Sequence, residues 1–440
     1  MTHDSGLRTQ NSQMVSDPTR PLRVALLARA VYPFHGYGGL ERHMYDLTRG
    51  LLDRGVEVTL IAPPAGPARV PDHEADLALG HPRLTLTTVP YLTFPGAGRR
   101  GTTILDRSTA YPLFGWRAGR VAARLAERGA IDIVHASGAS ALGYARARRR
   151  RPGSTVPLVF NPHGLEEFGG TSPHRARLKQ VGYWPLRRAV RYCAQAADRV
   201  IATDRALVAT VLEHLHVAPD AVRVVPNAID LHAIDRSASQ TAGATLRRRL
   251  GLEAEDVVLL SVGRLAANKG FDVLLGALRT LVDRSVLRGA SWRCVVVGSG
   301  PMQASLARDI GALGLDGRVV LQGSASIEDL HGWYEAATLF VHPTLYEGSS
   351  IATLEAMAHA RPIVATTAGG LPDKVRPGVN GWLVAPGAGP ALATAIGEAL
   401  ADRPGLAVLG AASRTIVERE FSTEVAMRRL LDVYHELCAG

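Results

Sequence analysis

The sequence predicts an α/β protein of two doubly wound, Rossmann-like domains that face a central cleft. Short β-branched runs alternate with helix-like segments along the whole chain, as is typical of parallel sheets covered by helices on both faces. The 440 residues are 46% hydrophobic and 20% charged. That composition is ordinary for a globular protein, and the length suits two domains of about 200 residues each. The alternation restarts mid-chain, which predicts a hinge near Pro226 and Asn227.

The first domain is predicted to span residues 21–225. Residues 1–20 are polar and lack the apolar core of a signal peptide, so we expect a disordered leader there. The strand candidates are apolar runs separated by helix-length segments: 22–28, 56–62, 84–89, 131–136, 157–161, 199–203 and 222–226. No run approaches the roughly 20 residues that cross a bilayer. The three cysteines are far apart and form no CxxC, which favours a reducing, cytoplasmic location.

The second domain is predicted to span residues 226–418. Its strand candidates follow the same pattern: 256–264, 293–298, 318–323, 338–343 and 362–367. The last segment, 419–440, contains FSTEVAMRRLLDVYHELC, in which apolar residues recur at helical spacing after Ser422, a good N-cap. It is predicted to be a terminal helix.

Charge is distributed unevenly. Residues 1–225 hold 30 basic and 18 acidic residues, whereas residues 226–440 hold 20 and 22. The basic half would suit an anionic membrane surface at the inner face of the cell membrane, contacted through RARRRR (146–151) and the arginine-rich helix at 174–193. A solvated arginine-rich face is the alternative, and nucleic acid is the less expected partner. Only Lys179, Lys269 and Lys374 are lysines, so a lysine in this arginine-rich chain is informative.

Ligands of open α/β sheets bind beyond the carboxyl ends of the strands, so the loops there are the candidate site. After the first strand, Gly36, Gly38 and Gly39 open a helix and would let backbone amides approach a phosphate. A purely structural turn is the alternative. NAD binding is disfavoured, because GYGGLE does not match GxGxxG and the second strand ends in Ala62 and two prolines without an acidic residue.

Three further side chains follow predicted strands. Arg264 comes directly after a strand and Lys269 starts the next helix, so together they could clamp a diphosphate. His163 follows the strand at 157–161 beside a glycine and is either a cleft residue or a structural histidine. The sequence contains no HExxH and no aspartate-rich cluster, which disfavours a metal-dependent mechanism.

The stretch YEGSSIATLEAM places two glutamates around a helix start. Glu347 falls in the loop, Ser349 or Ser350 caps the helix, and Glu355 lies inside it. Carboxylates accept hydrogen bonds from sugar and ribose hydroxyls, and helix amides can receive phosphate oxygens. The pattern therefore predicts a sugar-nucleotide site.

Two structural explanations of these glutamates remain open at this point. Thr344 and Glu347 have the spacing of a capping box, and Glu355 could pair with His359 one turn later. Each would contribute well under about 1 kcal/mol, and neither accounts for both carboxylates.

Five motifs occur in a fixed order: GGLERHMYDLTRGLLDRGVEVTLIAP, ADRVIATDRAL, VRVVPNAIDL, VGRLAANKGFDVLLGAL and EGSSIATLEAMAHARPIVATTAGGLPD. Through them, residues 22–437 resemble the family-four retaining glycosyltransferases of the GT-B architecture. The resemblance implies a terminal helix that crosses back to the first domain. It also implies metal-independent transfer of a hexose from a nucleotide-diphosphate sugar to a sugar, lipid-linked or small-molecule acceptor. Such a reaction would serve polysaccharide, glycolipid or glycosylated-metabolite biosynthesis.

The resemblance also assigns roles to residues. Arg264 and Lys269 would bind the donor diphosphate, Glu347 the hydroxyls of the donor sugar and Glu355 the ribose. The remaining positions would line the donor or touch the transferring sugar: Gly38, Gly39, His163, Gly323, Ser324, Ser349, Ser350 and Ile351. The family's usual EGFG reads EGSS here, so the sugar itself is left open.

Two other classes of protein remain as alternatives. A sugar-nucleotide epimerase of GT-B architecture would convert the donor without any acceptor. A non-catalytic, arginine-rich protein that binds membranes or nucleic acid would show salt-sensitive binding that survives loss of both glutamates, Arg264 and Lys269.

Overall fold

Two parallel β-sheets organise the computed structural model, which describes residues 20–36, 39–65, 80–93, 103–151, 156–163, 165, 167–168, 181–238, 240–285 and 291–439. The predicted α/β class is confirmed. All of the predicted leader except Arg20 lies outside the described residues, as do Gly38 and residues 174–180 of the arginine-rich segment.

The first sheet has strand order β3-β2-β1-β4-β5-β6-β7 within the described ranges, and every pairing is parallel. Its strands are β1 (Arg23–Leu27), β2 (Glu57–Ala62), β3 (Leu84–Thr88), β4 (Ile133–Ser137), β5 (Leu158–Asn161), β6 (Arg199–Ala202) and β7 (Val222–Val224). Each overlaps a predicted strand, because fully buried strands of parallel sheets read as continuous apolar runs.

The second sheet has order β10-β9-β8-β11-β12-β13 and is also parallel. Its strands are β8 (Val257–Val262), β9 (Trp292–Val297), β10 (Val319–Gly323), β11 (Leu339–His342), β12 (Ile363–Thr366) and β13 (Gly381–Val384). The sequence did not predict β13, whose GWLV is a short, mostly half-buried run at the edge of the sheet.

Helices cover both faces of each sheet. They are α1 (Gly39–Leu52), α2 (Thr103–Glu127), α3 (Leu142–Arg150), α4 (Trp184–Ala194), α5 (Val208–Leu215), α6 (Leu231–Ser237), α7 (Gln240–Arg249), α8 (Phe271–Asp283), α9 (Gln303–Ala312), α10 (Ile327–Ala336), α11 (Ile351–Ala358), α12 (Leu371–Lys374), α13 (Gly389–Ala401), α14 (Arg403–Glu420) and α15 (Thr423–Ala439). In the described part of the chain, no helix is both long enough and apolar enough to cross a bilayer.

Helix α15 crosses back to the first domain, as expected. Ser422 caps it by accepting a hydrogen bond from the amide of Val425 at 3.4 Å. Its buried face joins the apolar core beneath the first sheet through Ala426, Met427, Leu430, Val433 and Tyr434. The Tyr434 hydroxyl and Nδ1 of the buried His135 share a hydrogen bond of 2.6 Å. The second domain therefore ends on a helix that belongs to the core of the first.

Candidate functional site

The candidate site lies where the strand order of the second sheet reverses. Strands β8 and β11 are neighbours in that sheet although β9 and β10 lie between them in sequence. Helices leave the carboxyl ends of such strands on opposite faces and open a crevice between the two loops. The loop after β8 carries Arg264 and Lys269, and the loop after β11 carries Glu347, so the fold brings these predicted residues to one place.

A glycine allows the two loops to touch. Gly270 has a φ of 65° and ends the short 3-10 turn Ala267–Lys269. A Cβ atom there would lie 2.1 Å from the carbonyl oxygen of Pro343, which is too close for any side chain. With the backbones in contact, Lys269 Nζ lies 2.5 Å from Glu347 Oε2. The predicted diphosphate cation is thus ion-paired to the predicted sugar-binding carboxylate.

Glu347 is held as a carboxylate. Its side chain is 13% exposed, and Nε2 of the buried His342 donates to Oε2 at 3.1 Å. Burial opposes ionisation, but the His342 hydrogen bond and the Lys269 charge prevail and lower the pKa of Glu347 to about 2. At neutral pH the site therefore presents a charged hydrogen-bond acceptor beside a cation.

The capping box that the sequence left open does not form around Glu347. The Thr344 hydroxyl donates instead to the carbonyl oxygens of Asn268, at 2.9 Å, and Tyr346, at 3.0 Å. The bond to Asn268 links the loop after β11 to the loop after β8. Glu347 is left directed at Lys269 and His342.

Helix α11 begins beside this cluster. Ser350 is its N-cap and accepts a hydrogen bond from the Thr353 amide at 3.2 Å, so of the two predicted caps Ser350 is the one that acts. Ser349 lies one residue earlier, and Ile351 starts the helix. Apart from the capped Thr353 amide, the amides of the first turn have no backbone acceptors within the helix.

The pKa of Glu355 is shifted in the opposite direction from that of Glu347. The hydroxyl of the buried Tyr334 donates to Glu355 Oε2 at 2.8 Å. Burial raises the pKa of Glu355 to about 7, although the Tyr334 bond and the charge of Arg42 oppose the rise. The pairing with His359 that the sequence left open does not occur, because that imidazole bonds Glu335 at 2.6 Å instead.

His163 faces this cluster from the first domain. Its backbone has a φ of 58°, and its amide donates to Asn161 Oδ1 at 3.0 Å. Its Nε2 is hydrogen-bonded to the Ser137 hydroxyl at 2.9 Å, and the ring of His43 packs perpendicular to it. Burial, reinforced by neighbouring His43, lowers the pKa of His163 well below its ordinary value, so the ring is neutral at physiological pH.

A cavity of about 120 Å³ separates the two halves of the site. It is large enough for several water molecules or for part of a ligand. Both domains contribute to its walls: His163, Leu165, Ala202, Thr203, Leu207, Thr210, Val211, Tyr346, Glu347 and Gly369.

The remaining predicted residues lie along the same cleft edge. The Arg264 side chain is exposed, and its guanidinium makes no hydrogen bond or ion pair with any described residue. Gly323, with a φ of 78°, ends β10, and the Ser324 hydroxyl donates to the Ser299 hydroxyl at 2.9 Å. On the facing domain, Gly39 starts α1 close to the start of α11, because a Cβ atom on Gly39 would lie 4.0 Å from the Ile351 side chain.

Two residues of the site were not among those predicted. His342 is the last residue of β11, and its position at a strand's carboxyl end was a usable signal. Tyr334 comes from α10 and reaches Glu355 only through the packing of two helices. Among the described residues, no three His, Cys, Asp or Glu side chains are grouped so that they could hold a metal ion.

Comparison with known proteins gives consistent matches over both domains. Residues 37–233 match the family model described as Glycosyltransferase Family 4, and residues 256–402 match Glycosyl transferases group 1. D-inositol 3-phosphate glycosyltransferase of Xylanimonas cellulosilytica is 30% identical, over 94% of this chain and 97% of that protein.

Solved structures share the fold. Sucrose-phosphate synthase from Thermosynechococcus elongatus superposes with a TM-score of 0.74 at 22% identity, over 95% of this chain and 99% of that one. Anabaena Alr3699/HepE in complex with UDP superposes with a TM-score of 0.70 at 22% identity, over 94% of this chain and 100% of that one. Both support the two-domain GT-B architecture.

Proposed function

This chain belongs to the glycosyltransferases of family 4 and group 1, and we propose that it moves a hexose from a nucleotide-diphosphate sugar to an acceptor hydroxyl, with retention and without an obligatory metal. One observation carries the proposal. The Lys269–Glu347–His342 cluster at the switch point of the second sheet faces His163 of the first domain across a shared cavity. A donor sugar placed there would meet charged, hydrogen-bonding groups from both domains.

The donor would lie along the carboxyl edge of the second sheet. Glu347 would accept hydrogen bonds from the sugar hydroxyls and Glu355 from the ribose, because carboxylates are strong acceptors for hydroxyl donors. Arg264, whose guanidinium pairs with no described residue, and Lys269, which is paired with Glu347, would bind the diphosphate between them. Gly323 and Ser324 would lie near the base.

Electrostatic stabilisation of the leaving group would supply much of the catalysis. As the bond between the sugar C1 and the diphosphate oxygen breaks, negative charge grows on the diphosphate, where Lys269 and Arg264 are already positioned. The acceptor oxygen would bond to C1 on the face from which the diphosphate leaves, and its proton would pass to a diphosphate oxygen. His163, neutral at physiological pH, would hydrogen-bond the transferring sugar rather than compete with the diphosphate for cations.

A thermal-shift panel of UDP, GDP, ADP and TDP sugars identifies the donor, since a bound ligand raises the melting temperature by mass action. Lys269→Ala should abolish transfer and the shift given by the correct donor. Arg308→Ala, which removes an exposed cation from α9 away from the cleft, is the matched control. Wild-type transfer by a folded Lys269→Ala protein would contradict the diphosphate assignment.

Three further assays test the finer claims. NMR of the anomeric proton in the product reports whether configuration is retained. Transfer that survives EDTA supports metal independence, because the two cations would already neutralise the diphosphate. Incubation of the donor alone distinguishes the epimerase alternative, which predicts conversion without acceptor.

The acceptor class is tested with sugars, polyols and lipid-linked sugars in parallel. The relative named D-inositol 3-phosphate glycosyltransferase makes D-inositol 3-phosphate the first soluble acceptor to try. We propose a cytoplasmic enzyme that works beside the inner face of the cell membrane, where lipid-linked acceptors would be presented.

Membrane association would use the first domain. Trp184 on α4 is 60% exposed, with the guanidinium of Arg188 over its ring. Apolar and cationic side chains at one surface suit an anionic leaflet. The run 146–151 contributes less free charge than its sequence suggests, because Arg148 pairs with Asp198 and Arg151 with Glu127. Flotation with anionic but not neutral vesicles would support association; no flotation with either would refute it.

A further inference from the structure

A buried ion pair joins the two domains beside the Glu347 loop. Lys374, at the end of α12, and Asp204, just after β6, both have fully buried side chains, and the ammonium group donates to the carboxylate. The same ammonium donates to the Ser349 hydroxyl at 3.0 Å and to the Gly370 carbonyl at 3.3 Å. All three N–H groups of the ammonium are therefore hydrogen-bonded, and they connect the first domain to the loop from Glu347 to Ser350 in the second domain.

The backbone around Lys374 is fitted to both sides of this junction. A Cβ atom on Gly370 would lie 2.2 Å from the Asp204 carboxyl carbon. The Gly370 amide donates to the Gly348 carbonyl at 2.8 Å, and a Cβ atom on Gly369 would lie 2.0 Å from the Glu347 carbonyl oxygen. The segment 369–374 is thus packed between Asp204 on one side and the Glu347 loop on the other.

Stability alone does not explain this pair. Burying two charges costs desolvation energy that their attraction roughly offsets, so buried ion pairs add little net stability. Burial in fact raises the pKa of Asp204 above its ordinary value, despite the opposing charge of Lys374. What the pair does impose is geometry, because its two members belong to different domains and can meet only while the cleft is closed at this point.

We propose that Asp204 and Lys374 are positioning residues that couple closure of the cleft to the shape of the loop from Glu347 to Ser350. Closure brings Asp204 to Lys374, and the fixed ammonium then fixes the Ser349 hydroxyl beside the donor sugar. In an open cleft the ammonium would lose its anionic partner and turn toward water, and Ser349 would be released. The inference rests on the proposed function in one respect, that this loop holds the donor sugar.

The test compares four variants of the full chain: Asp204→Asn, Lys374→Met, the double variant Asp204→Leu/Lys374→Met, and Asp373→Asn as control. Asp373 accepts from the amides of Arg205 and Ala206 at the exposed rim of the same junction, and an asparagine oxygen can still accept there. Each protein is measured for melting temperature, for affinity toward the nucleoside diphosphate alone, and for kcat with the sugar donor.

Both single variants should lose roughly 100-fold in kcat, the cost of a misplacement of about 1 Å at a reacting group. Their affinity for the nucleoside diphosphate should stay unchanged, since its binding groups lie elsewhere in the second domain. The double variant should regain the melting temperature, because an apolar pair can replace a buried ion pair, yet remain roughly 100-fold slow. The control should retain wild-type kcat.

Recovery of wild-type kcat in the double variant would show a merely structural pair and overturn the proposal, as would full kcat in either single variant. A wild-type protein that transfers no sugar from any donor would instead refute the proposed function. Small-angle X-ray scattering tests whether the pair is coupled to closure of the cleft. The single variants should have a larger radius of gyration than the wild type. Equal radii of gyration would overturn the proposal.

Discussion

Replacing each of the two glutamates by glutamine should change stability in opposite directions. Glu347→Gln removes a carboxylate that Lys269 and His342 stabilise, so the free protein should become less stable. Glu355→Gln removes a carboxylate that burial penalises, so the free protein should become more stable. The two side chains lie eight residues apart and differ in environment rather than in chemistry.

The magnitudes follow from the pKa values. For Glu355, the rise from 4.5 to about 7 means that stability present below pH 4.5 is lost as pH rises through about 7. The loss is about 3 kcal/mol at pH 8 and under about 1 kcal/mol at pH 5. For Glu347, the fall from 4.5 to about 2 gives stability that is present above pH 4.5 and lost only as pH falls through about 2. Its replacement should therefore cost about 3 kcal/mol at both pH values.

Melting temperatures of the free variants at pH 5 and pH 8 provide the assay. For a domain of about 200 residues that unfolds on its own, 1 kcal/mol corresponds to about 2–4 °C, so Glu355→Gln should raise the melting temperature of the second domain by roughly 6–12 °C at pH 8 and change it little at pH 5. Glu347→Gln should lose roughly 6–12 °C at both. Glu398→Gln, an exposed position on α13, is the control and should stay within about 0.5 kcal/mol of wild type. Shifts of the same sign for the two site variants, or a Glu355→Gln gain that is equal at both pH values, would refute the reasoning.

Other substitutions probe single contacts. Tyr334→Phe removes the hydrogen bond that lowers the pKa of Glu355, so the pKa of Glu355 should rise above about 7. The pH midpoint for nucleoside diphosphate binding, measured by calorimetry, should rise with it. An unchanged midpoint would contradict this prediction. Gly270→Ala should lower the free energy of unfolding by about 1–3 kcal/mol, because Gly270 has a positive φ and its backbone contacts the next loop. Gly276→Ala, with open space around it, should raise the free energy of unfolding by about 0.5–1 kcal/mol. Urea midpoints that shift in the same direction for both variants would contradict the role of the Gly270 contact. Tyr434→Phe leaves a buried imidazole of β4 without its partner and should cost about 1–3 kcal/mol in urea unfolding, so wild-type stability would disprove the bond's contribution.

The sequence predicted well where local pattern decides structure. Buried parallel strands require continuous apolar runs, so β8 and β11 were found within two residues of their ends. The rule that ligands lie beyond such ends then located Arg264, Lys269 and Glu347. The apolar pattern did not predict β13, because an edge strand with one buried residue in four has no continuous apolar run.

The contacts that tune the site could not be read from local pattern. Tyr334 reaches Glu355 across 21 positions and Asp204 reaches Lys374 across 170, and only tertiary packing sets such distances. One signal for Lys374 was nevertheless available in the sequence. Nearly all basic residues of this chain are arginines, and the rarity of lysine that drew attention to Lys269 should have drawn attention to Lys374 as well.

The return of α15 to the first domain has a consequence for biosynthesis. Strand β7 ends at Val224 and α15 begins at Thr423, so the whole second domain is translated between the first sheet and the helix that covers it. At about 5–20 residues per second, those roughly 200 residues take about 10–40 s to make. Throughout that interval the apolar groove for Met427, Leu430 and Tyr434 is open on the ribosome-bound chain. The apolar core of the first domain is therefore completed only after the second domain has been translated.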